Sequence, residues 1–228
     1  MRILYSLFLA LTLTAVQSGC KKEDNPTSVI YGQVADFEGN AYKTIAIGSQ
    51  TWMAENLKST KLNDGTAIPL VTNNNSWSTM ITPACSYYGN DSITYKANYG
   101  ALYNWYSVAT NKLCPSGWHV PTIGEWSTLT ATLGVDTIAG GMLKEGGTAH
   151  WSYPNTHATN SSGFTALPTG YRFYNGSYQN FGISGNWWSS TASTTETSNY
   201  TYLSYSDGKL GKNSLDNTYG FSVRCVKD

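Results

Sequence analysis

The chain has 228 residues, of which 14 are Lys or Arg and 14 are Asp or Glu, so its formal net charge is zero. Charged residues make up only 12% of the composition, whereas aromatic residues make up 14%. This composition contains no basic stripe and argues against a nucleic-acid partner, and the length suits one domain with its own core.

The first residues predict a lipoprotein signal peptide over residues 1–19. Arg2 precedes an apolar run at 3–16, which is shorter than the roughly 20 residues that a membrane-spanning helix needs. Small residues then lead to Cys20, which would become a lipidated N-terminus, although Gln17 replaces the usual aliphatic residue. The alternative is ordinary secretion, in which Cys20 is discarded with the peptide.

Residues 20–30 are predicted to be a lipidated tether. The sequence KKED at 21–24 resembles the lysine-plus-acidic signal that sends Bacteroidetes lipoproteins to the outer face of the outer membrane. The segment is polar and contains Pro26, which is typical of a linker. We therefore expect a cell-surface protein whose lipid attaches it to the outer membrane, with a simple solvated tether as the alternative meaning of this segment.

The first half of the remaining chain predicts strands, an irregular stretch and then helices. Alternation and turns predict a three-stranded meander over 31–57, while residues 60–98 lack a regular pattern. Helices are predicted at 99–110, 122–133 and 136–143. Thr122 and Glu125 form a Thr-x-x-Glu capping box at the start of the second helix, and Gly134 is placed to end it.

The second half of the chain predicts mainly strands. Asn175-Gly176 is a strong hairpin signal within residues 171–178, and Asp207-Gly208 marks a second hairpin. Further strands are predicted at 187–192 and 221–226. A meander, a few helices and a late antiparallel sheet together predict an α+β fold.

Five motifs occur in an order that resembles the Fibrobacter succinogenes major paralogous domain, found in surface proteins of Bacteroidetes and Fibrobacteres. They are WMAENL at 52–57, YGALYNW at 99–105, CPSGWHVPTIGEW at 114–126, WWSST at 187–191 and GFSVRCVKD at 220–228. The resemblance covers residues 31–228, which we take as the domain. That family is named for its abundance, so the resemblance implies a fold more firmly than an activity.

The same motifs also look like the C-type lectin-like fold, in the branch that includes formylglycine-generating enzymes. After lipidation of Cys20, the cysteines Cys85, Cys114 and Cys225 allow one disulfide and one free thiol. In that fold the two chain ends meet in one sheet, which fits a bridge from Cys114 beside the helix to Cys225 in the last strand. Cys85 would then be free.

Catalytic and metal motifs are not found in the sequence, so we do not expect an enzyme or a required cofactor. His119, His150 and His157 lie in different segments without ligand or triad spacing, and a Cys114–His119 pair has no further support. The cysteine pair of the formylglycine-generating relatives and the calcium motifs of lectins are also missing. Calcium bound by the oxygen-rich loops at 73–76 and 90–92 remains an alternative.

Aromatic side chains in the late strands are the candidate ligand contacts. Tyrosine and tryptophan combine a rigid apolar face with a polar group, which suits sugar rings and protein interfaces. The candidates are Tyr174, Tyr178, Trp187, Tyr200 and Tyr202. The alternative is that many of these rings form the core. The sequence therefore predicts a non-catalytic binding module for glycan or protein, with a structural envelope lipoprotein as the alternative.

Arg224 is predicted to be a structural residue, because it lies between apolar residues of the last strand. A buried guanidinium needs a carboxylate or several carbonyl groups as hydrogen-bond acceptors. Glu55 and Glu125 are the candidate carboxylates.

Overall fold

The computed structural model describes residues 29–134 and 136–228. The predicted signal peptide, Cys20 and the KKED tether lie outside the described residues. No helix within the described part is long and apolar enough to span a membrane.

The described chain is a mixed α and β structure with more strands than helices. The strands are β1 Gly32–Ala35, β2 Ala41–Ile47, β3 Gln50–Met53, β4 Cys85–Ser86, β5 Leu102–Tyr103, β6 Trp118–His119, β7 Tyr171–Arg172, β8 Tyr178–Gln179, β9 Ser184–Ala192, β10 Thr197–Ser204, β11 Gly211–Asp216 and β12 Val226–Lys227. The helices are α1 Asn74–Ser78, α2 Ser92–Tyr99, α3 Trp105–Val108, α4 Ile123–Leu133 and α5 Asp136–Leu143.

Two sheets carry most of the architecture. A five-stranded sheet has the order β1-β2-β3-β12-β6, so the predicted meander is confirmed and the last strand pairs beside it. A three-stranded antiparallel sheet has the order β11-β10-β9, as the Asp207-Gly208 hairpin signal predicted. The remaining strands form two separate two-stranded pairs, β4-β5 and β7-β8. The β7-β8 pair confirms the hairpin predicted around Asn175-Gly176.

Helix α4 follows its sequence signals closely. The Thr122 hydroxyl accepts from the Glu125 amide, and the Glu125 carboxylate accepts from the Thr122 amide, which confirms the capping box. Trp126 and Leu129 are buried, and the Trp126 ring lies 4.7 Å from that of Trp52 on β3. The apolar face of this helix therefore packs on the five-stranded sheet, and the helix ends at Gly134.

The predicted helix at 99–110 is wrong. Helix α2 ends at Tyr99, and Gly100 then adopts a φ of 75° where a Cβ would lie 2.6 Å from the Leu57 carbonyl oxygen. Only glycine fits this approach, which lets the Ala101 amide donate to Leu57. The chain consequently continues as β5 before Asn104 caps the short helix α3.

Two other predicted elements also differ from the structure. Residues 60–98 are not wholly irregular, because Asn73 and Asp91 cap the helices α1 and α2. The predicted last strand at 221–226 is paired as a strand only from Val226. Its earlier part instead makes single bridges, from Phe221 to Tyr103 and from Ser222 to Trp187. This segment therefore joins several small sheets.

A disulfide connects Cys114 to Cys225, with 6.0 Å between the Cα atoms, and Cys85 is free and buried. The bridge joins positions 111 residues apart and attaches the last strand to the segment before α4. In the chain-entropy model a loop of this size contributes about 4–5 kcal/mol to the free energy of unfolding. Burial raises the pKa of the Cys85 thiol to about 12, which keeps it protonated at neutral pH.

Arg224 is buried, but neither predicted carboxylate bonds to it. Its guanidinium donates to the Asn56 side-chain oxygen and to the carbonyl oxygens of Phe164 and Thr165. Glu55 instead accepts from the Lys43 amide at 2.6 Å. The predicted carboxylate partnership is therefore wrong, and oxygen acceptors from the loop at 164–165 replace it.

Two more buried cations show the same arrangement. The Lys144 ammonium donates to the carbonyl oxygens of Thr156, Ser204 and Asp207 at 2.8–2.9 Å. Arg172 donates to the carbonyl oxygens of Val71, Thr72 and Gly176, and to the Asn74 side chain. Among the described residues, no carboxylate lies within ion-pair distance of these three cations. Backbone carbonyls of separate loops thus meet at buried positive charges.

His119 on β6 joins the capping box to the C-terminus. Its Nδ1 lies 2.6 Å from an Asp228 carboxylate oxygen, and its Nε2 lies 2.8 Å from Glu125. Burial alone would lower the pKa of His119, but the hydrogen bonds to Asp228 and Glu125 outweigh it and raise the pKa above 6.5. The imidazolium form is therefore favoured between two carboxylates.

We expect Arg224→Met to lower the free energy of unfolding by about 3 kcal/mol, because it leaves buried acceptors without donors. Glu55→Gln should change it by about 1 kcal/mol or less, because the amide oxygen still accepts from Lys43. Urea unfolding of both variants measures the difference. An Arg224→Met protein as stable as the wild type would contradict the proposed role of these hydrogen bonds.

We expect His119→Gln to be destabilising at about pH 5.5 and much less so at about pH 8.5. A histidine whose pKa is higher in the folded than in the unfolded protein stabilises the fold fully at pH values below its unfolded pKa. This stabilisation is lost as the pH rises through the folded pKa. Because both carboxylates are partly exposed, the difference should be about 1 kcal/mol or less. Melting temperatures at the two pH values measure it, with His157→Gln as the control. An effect independent of pH would disprove the ion-pair account.

Candidate functional site

A cleft of about 330 Å³ lies over one face of the three-stranded sheet. Its wall and floor combine aromatic rings with amide and hydroxyl groups. The lining residues are Tyr171, Asn180, Ile183, Ser184, Asn186, Tyr200, Tyr202, Ser204, Asn213, Leu215, Tyr219 and Phe221. Since none of them is charged, the cleft is electrically neutral.

Strand alternation places most of these side chains on the same face. Residues two apart on a strand point to one side of the sheet, so Tyr200, Tyr202 and Ser204 share a face of β10. Across the strands, Tyr202 pairs with Asn186 on β9, and Tyr200 pairs with Asn213 on β11. The sheet therefore presents tyrosine rings flanked by amide groups.

The position of the Tyr202 ring depends on a glycine. Gly211 lies opposite Tyr202 on β11, and a Cβ built on it would lie 2.2 Å from the tyrosine ring. The Tyr202 ring thus lies across β11 at the position where Gly211 has no side chain. This packing restricts Tyr202 while leaving it 37% exposed.

Buried and partly buried aromatic rings form the floor beneath the cleft. The Tyr200 and Phe221 rings lie 4.6 Å apart, and Phe221 also contacts Tyr171 and Tyr219. These residues come from β10, β7 and the irregular segment before β12. The floor is therefore assembled from distant parts of the chain and is fixed by tertiary packing.

Several hydroxyl groups in the cleft have no hydrogen-bond partner in the described part of the protein. Within the described part of the chain, the hydroxyl groups of Tyr200, Tyr202 and Tyr219 make no hydrogen bond, in contrast to Tyr171, which donates to Gln179 at 3.0 Å. Burial raises the pKa of Tyr200 to about 12, so its phenol remains a neutral donor and acceptor. The cleft can therefore exchange hydrogen bonds with a ligand without binding a charge.

The predicted contact residues divide between the cleft, its surroundings and the core. Tyr200 and Tyr202 line the cleft, and Tyr174 lies outside it with its ring 5.9 Å from that of Tyr219. Tyr178 packs against Arg172 and Tyr88 and donates to Asn90 at 2.7 Å. It lies outside the lining.

The expectation of a ligand contact for Trp187 is corrected. Its side chain has no exposed surface, and its indole donates to Asn56 within the core. The physical reason is alternation, because Trp187 and the cleft residue Asn186 are neighbours on β9 and point to opposite faces.

Sequence reasoning missed the cleft residues Asn180, Asn213 and Tyr219. Asn213 could have been found from period-two alternation on the strand predicted after the Asp207-Gly208 turn. Tyr219 belongs to no regular element and gives no local signal. Its place in the floor depends on long-range contacts.

The oxygen-rich loops considered for calcium use two of their side chains as helix caps. The Asn73 side-chain oxygen accepts from the Ser76 amide at 2.9 Å, and the Asp91 carboxylate accepts from the Thr94 amide at 3.0 Å. In the part of the chain that the structure describes, no three His, Cys, Asp or Glu side chains are grouped as metal ligands.

A second cleft of about 220 Å³ has a different chemical character. Lys43, Glu55, His150 and the buried Arg224 contribute to its lining. His150 is paired with Glu145 at 2.8 Å, and Arg224 already donates to three oxygens. His150 and Arg224 in this cleft therefore already have protein partners, whereas the phenols of Tyr200, Tyr202 and Tyr219 have none among the described residues.

Comparison with known proteins identifies the family of this fold. Residues 45–227 match the Fibrobacter succinogenes major domain, and this range contains all five sequence motifs except the final Asp228. Among curated proteins and among solved structures, none matches the chain. Since the matched range covers most of the 228 residues, the chain belongs to the Fibrobacter succinogenes major domain family.

Proposed function

We propose that this protein is a non-catalytic binding module that holds a neutral glycan in the cleft over β9–β11. The observation that carries this proposal is an uncharged cleft with an aromatic floor and with phenol groups that have no hydrogen-bond partner among the described residues. Sugar rings offer apolar C–H faces for stacking and hydroxyl groups for hydrogen bonds, so they match both parts of the lining.

A protein partner fits this site less well. Protein interfaces are usually broad surfaces with an apolar centre, often including arginine, surrounded by a polar rim. Here the polar groups lie inside a concave site next to the rings. A structural envelope role without a ligand remains the alternative, and a blank result in the binding experiment below would favour it.

For the fold, we propose the C-type lectin-like class. Two features support it: β12 pairs beside the N-terminal meander, and a disulfide joins the segment before α4 to the last strand. The irregular stretch between the meander and α4, which holds only short elements, agrees with the same class.

For the location, we propose that a lipid on Cys20 anchors the domain at the outer surface of the outer membrane. The sequence around Cys20 supports this, together with the polar KKED segment that follows. Several acyl chains bury enough methylene groups for stable anchoring, at about 0.8 kcal/mol each. The glycan cleft would then face the surroundings of the cell.

We expect Tyr202→Ala to weaken glycan binding by roughly tenfold, or about 1.4 kcal/mol, because it removes an exposed stacking face. Asn213→Ala should weaken binding through the loss of an amide group. A glycan array followed by titration of the detergent-solubilised protein measures both, with Tyr153→Ala as the matched control because Tyr153 is exposed and outside the cleft.

Binding should survive EDTA, since the lining contains no carboxylate. Loss of binding in EDTA would move the site to the loops at 73–76 and 90–92. Unchanged affinity of Tyr202→Ala would contradict the assignment of the ligand to this cleft.

We expect Cys20→Ala to leave the membrane fraction or to accumulate as precursor, because the acyl chains are lost. Labelling with an alkyne fatty acid should mark the wild type and the control Cys85→Ala, but not Cys20→Ala. An unlabelled wild type would disprove lipid anchoring.

A further inference from the structure

We propose that the cleft binds an inner stretch of an extended, uncharged polysaccharide rather than a single terminal sugar. This inference rests on the proposed glycan function and specifies its ligand class. Its basis is an aromatic row that passes through the cleft and continues beyond it to Tyr174.

The row is continuous in the structure. From Tyr202 it runs to Tyr200 at 5.9 Å between ring centroids, then to Phe221 at 4.6 Å and on to Tyr219 at 5.7 Å. Beyond the cleft, the Tyr219 ring lies 5.9 Å from that of Tyr174. The rings are thus joined by direct contacts from β10 to the β7-β8 turn.

Exposure is greatest at the two ends of this row. Tyr202 is 37% exposed and Tyr174 is 49% exposed, whereas Tyr200 and Tyr219 between them are buried. One sugar ring can stack on one exposed tyrosine only. A ligand that uses both end rings must extend along the row, which a polymer chain does and a monosaccharide does not.

The outer tyrosine is also held in place before a ligand arrives. Arg172 donates to the Gly176 carbonyl oxygen at 2.9 Å and so fixes the turn that carries Tyr174. The Phe173 ring lies 4.3 Å from the Tyr174 ring and supports it from the same hairpin. Little side-chain freedom is lost when a ligand stacks there, which favours binding at a second platform.

The charge of the cleft limits the kind of polymer. No cationic side chain lines it, so an acidic polysaccharide gains no ion pair and loses the hydration of its carboxylates. Neutral hexose or pentose polymers have no charged groups that would lose their hydration on binding. We therefore assign the ligand to neutral polysaccharides.

The test compares short and long oligosaccharides with the detergent-solubilised full mature chain. The probes are dimers and hexamers of β-1,4-glucan, β-1,4-xylan and α-1,6-mannan, with a polygalacturonate hexamer as the charged control. Affinity is measured by calorimetry for the wild type and for the variants Tyr174→Ala, Tyr202→Ala and Tyr153→Ala.

We expect one neutral hexamer to bind the wild type at least ten times more tightly than its dimer. Tyr174→Ala should remove that advantage while leaving the affinity of the dimer unchanged, because the dimer does not reach the outer ring. Tyr202→Ala should weaken both lengths, and Tyr153→Ala should weaken neither. Polygalacturonate should not bind.

Equal affinities of dimer and hexamer would overturn the extended-ligand inference and leave the glycan site itself intact. The same holds if Tyr174→Ala weakens dimer and hexamer equally, or if polygalacturonate binds as tightly as the neutral polymers. If no oligosaccharide binds the wild type in any series, both the inference and the proposed glycan function fail.

Discussion

Buried cations surrounded by carbonyl oxygens hold together a chain that has few long regular elements. Every backbone carbonyl that a loop brings into the interior needs a hydrogen-bond donor. Lys144, Arg172 and Arg224 each provide several donors at one point. A buried charge is costly to desolvate, and these hydrogen bonds offset that cost only if all of them form together.

The same contacts position the candidate site. Lys144 donates to the carbonyl of Ser204, whose side chain lines the cleft, and to Asp207 in the turn after β10. Arg172 fixes the hairpin that carries Tyr174, and its neighbour Tyr171 contributes to the aromatic floor. The candidate cleft thus gains rigidity from buried cations that are not part of its lining. The stability of the fold and the shape of the candidate cleft therefore depend on the same few residues.

Features encoded locally were predictable from the sequence. The capping box of Thr122 and Glu125 and the hairpin around Asn175-Gly176 depend on residues a few positions apart, and the structure confirms both. The helix predicted at 99–110 failed because its pattern was interrupted by a contact between Gly100 and the distant Leu57 carbonyl. Neither residue type nor periodicity indicates such a contact.

The candidate site was predictable only in part, for the same reason. Alternation on one strand placed Tyr200 and Tyr202 together, but the sequence did not tell which of the two faces holds Trp187. The partners of Arg224 were not predictable from residue type, because its principal acceptors include the backbone carbonyls of Phe164 and Thr165. Every residue has the same backbone carbonyl. The carbonyl groups that accept hydrogen bonds from a buried cation can therefore be identified only from the tertiary structure.

The Lys144 ammonium allows the most direct measurement of the central claim. Burial lowers its pKa to about 8, which leaves the charged form dominant at neutral pH. In ¹⁵N- and ¹³C-labelled protein, the account predicts a slowly exchanging Lys144 ammonium signal with hydrogen-bond couplings to the carbonyl carbons of Thr156, Ser204 and Asp207. A Lys144 signal that exchanges as fast as that of the exposed Lys227, without those couplings, would contradict it.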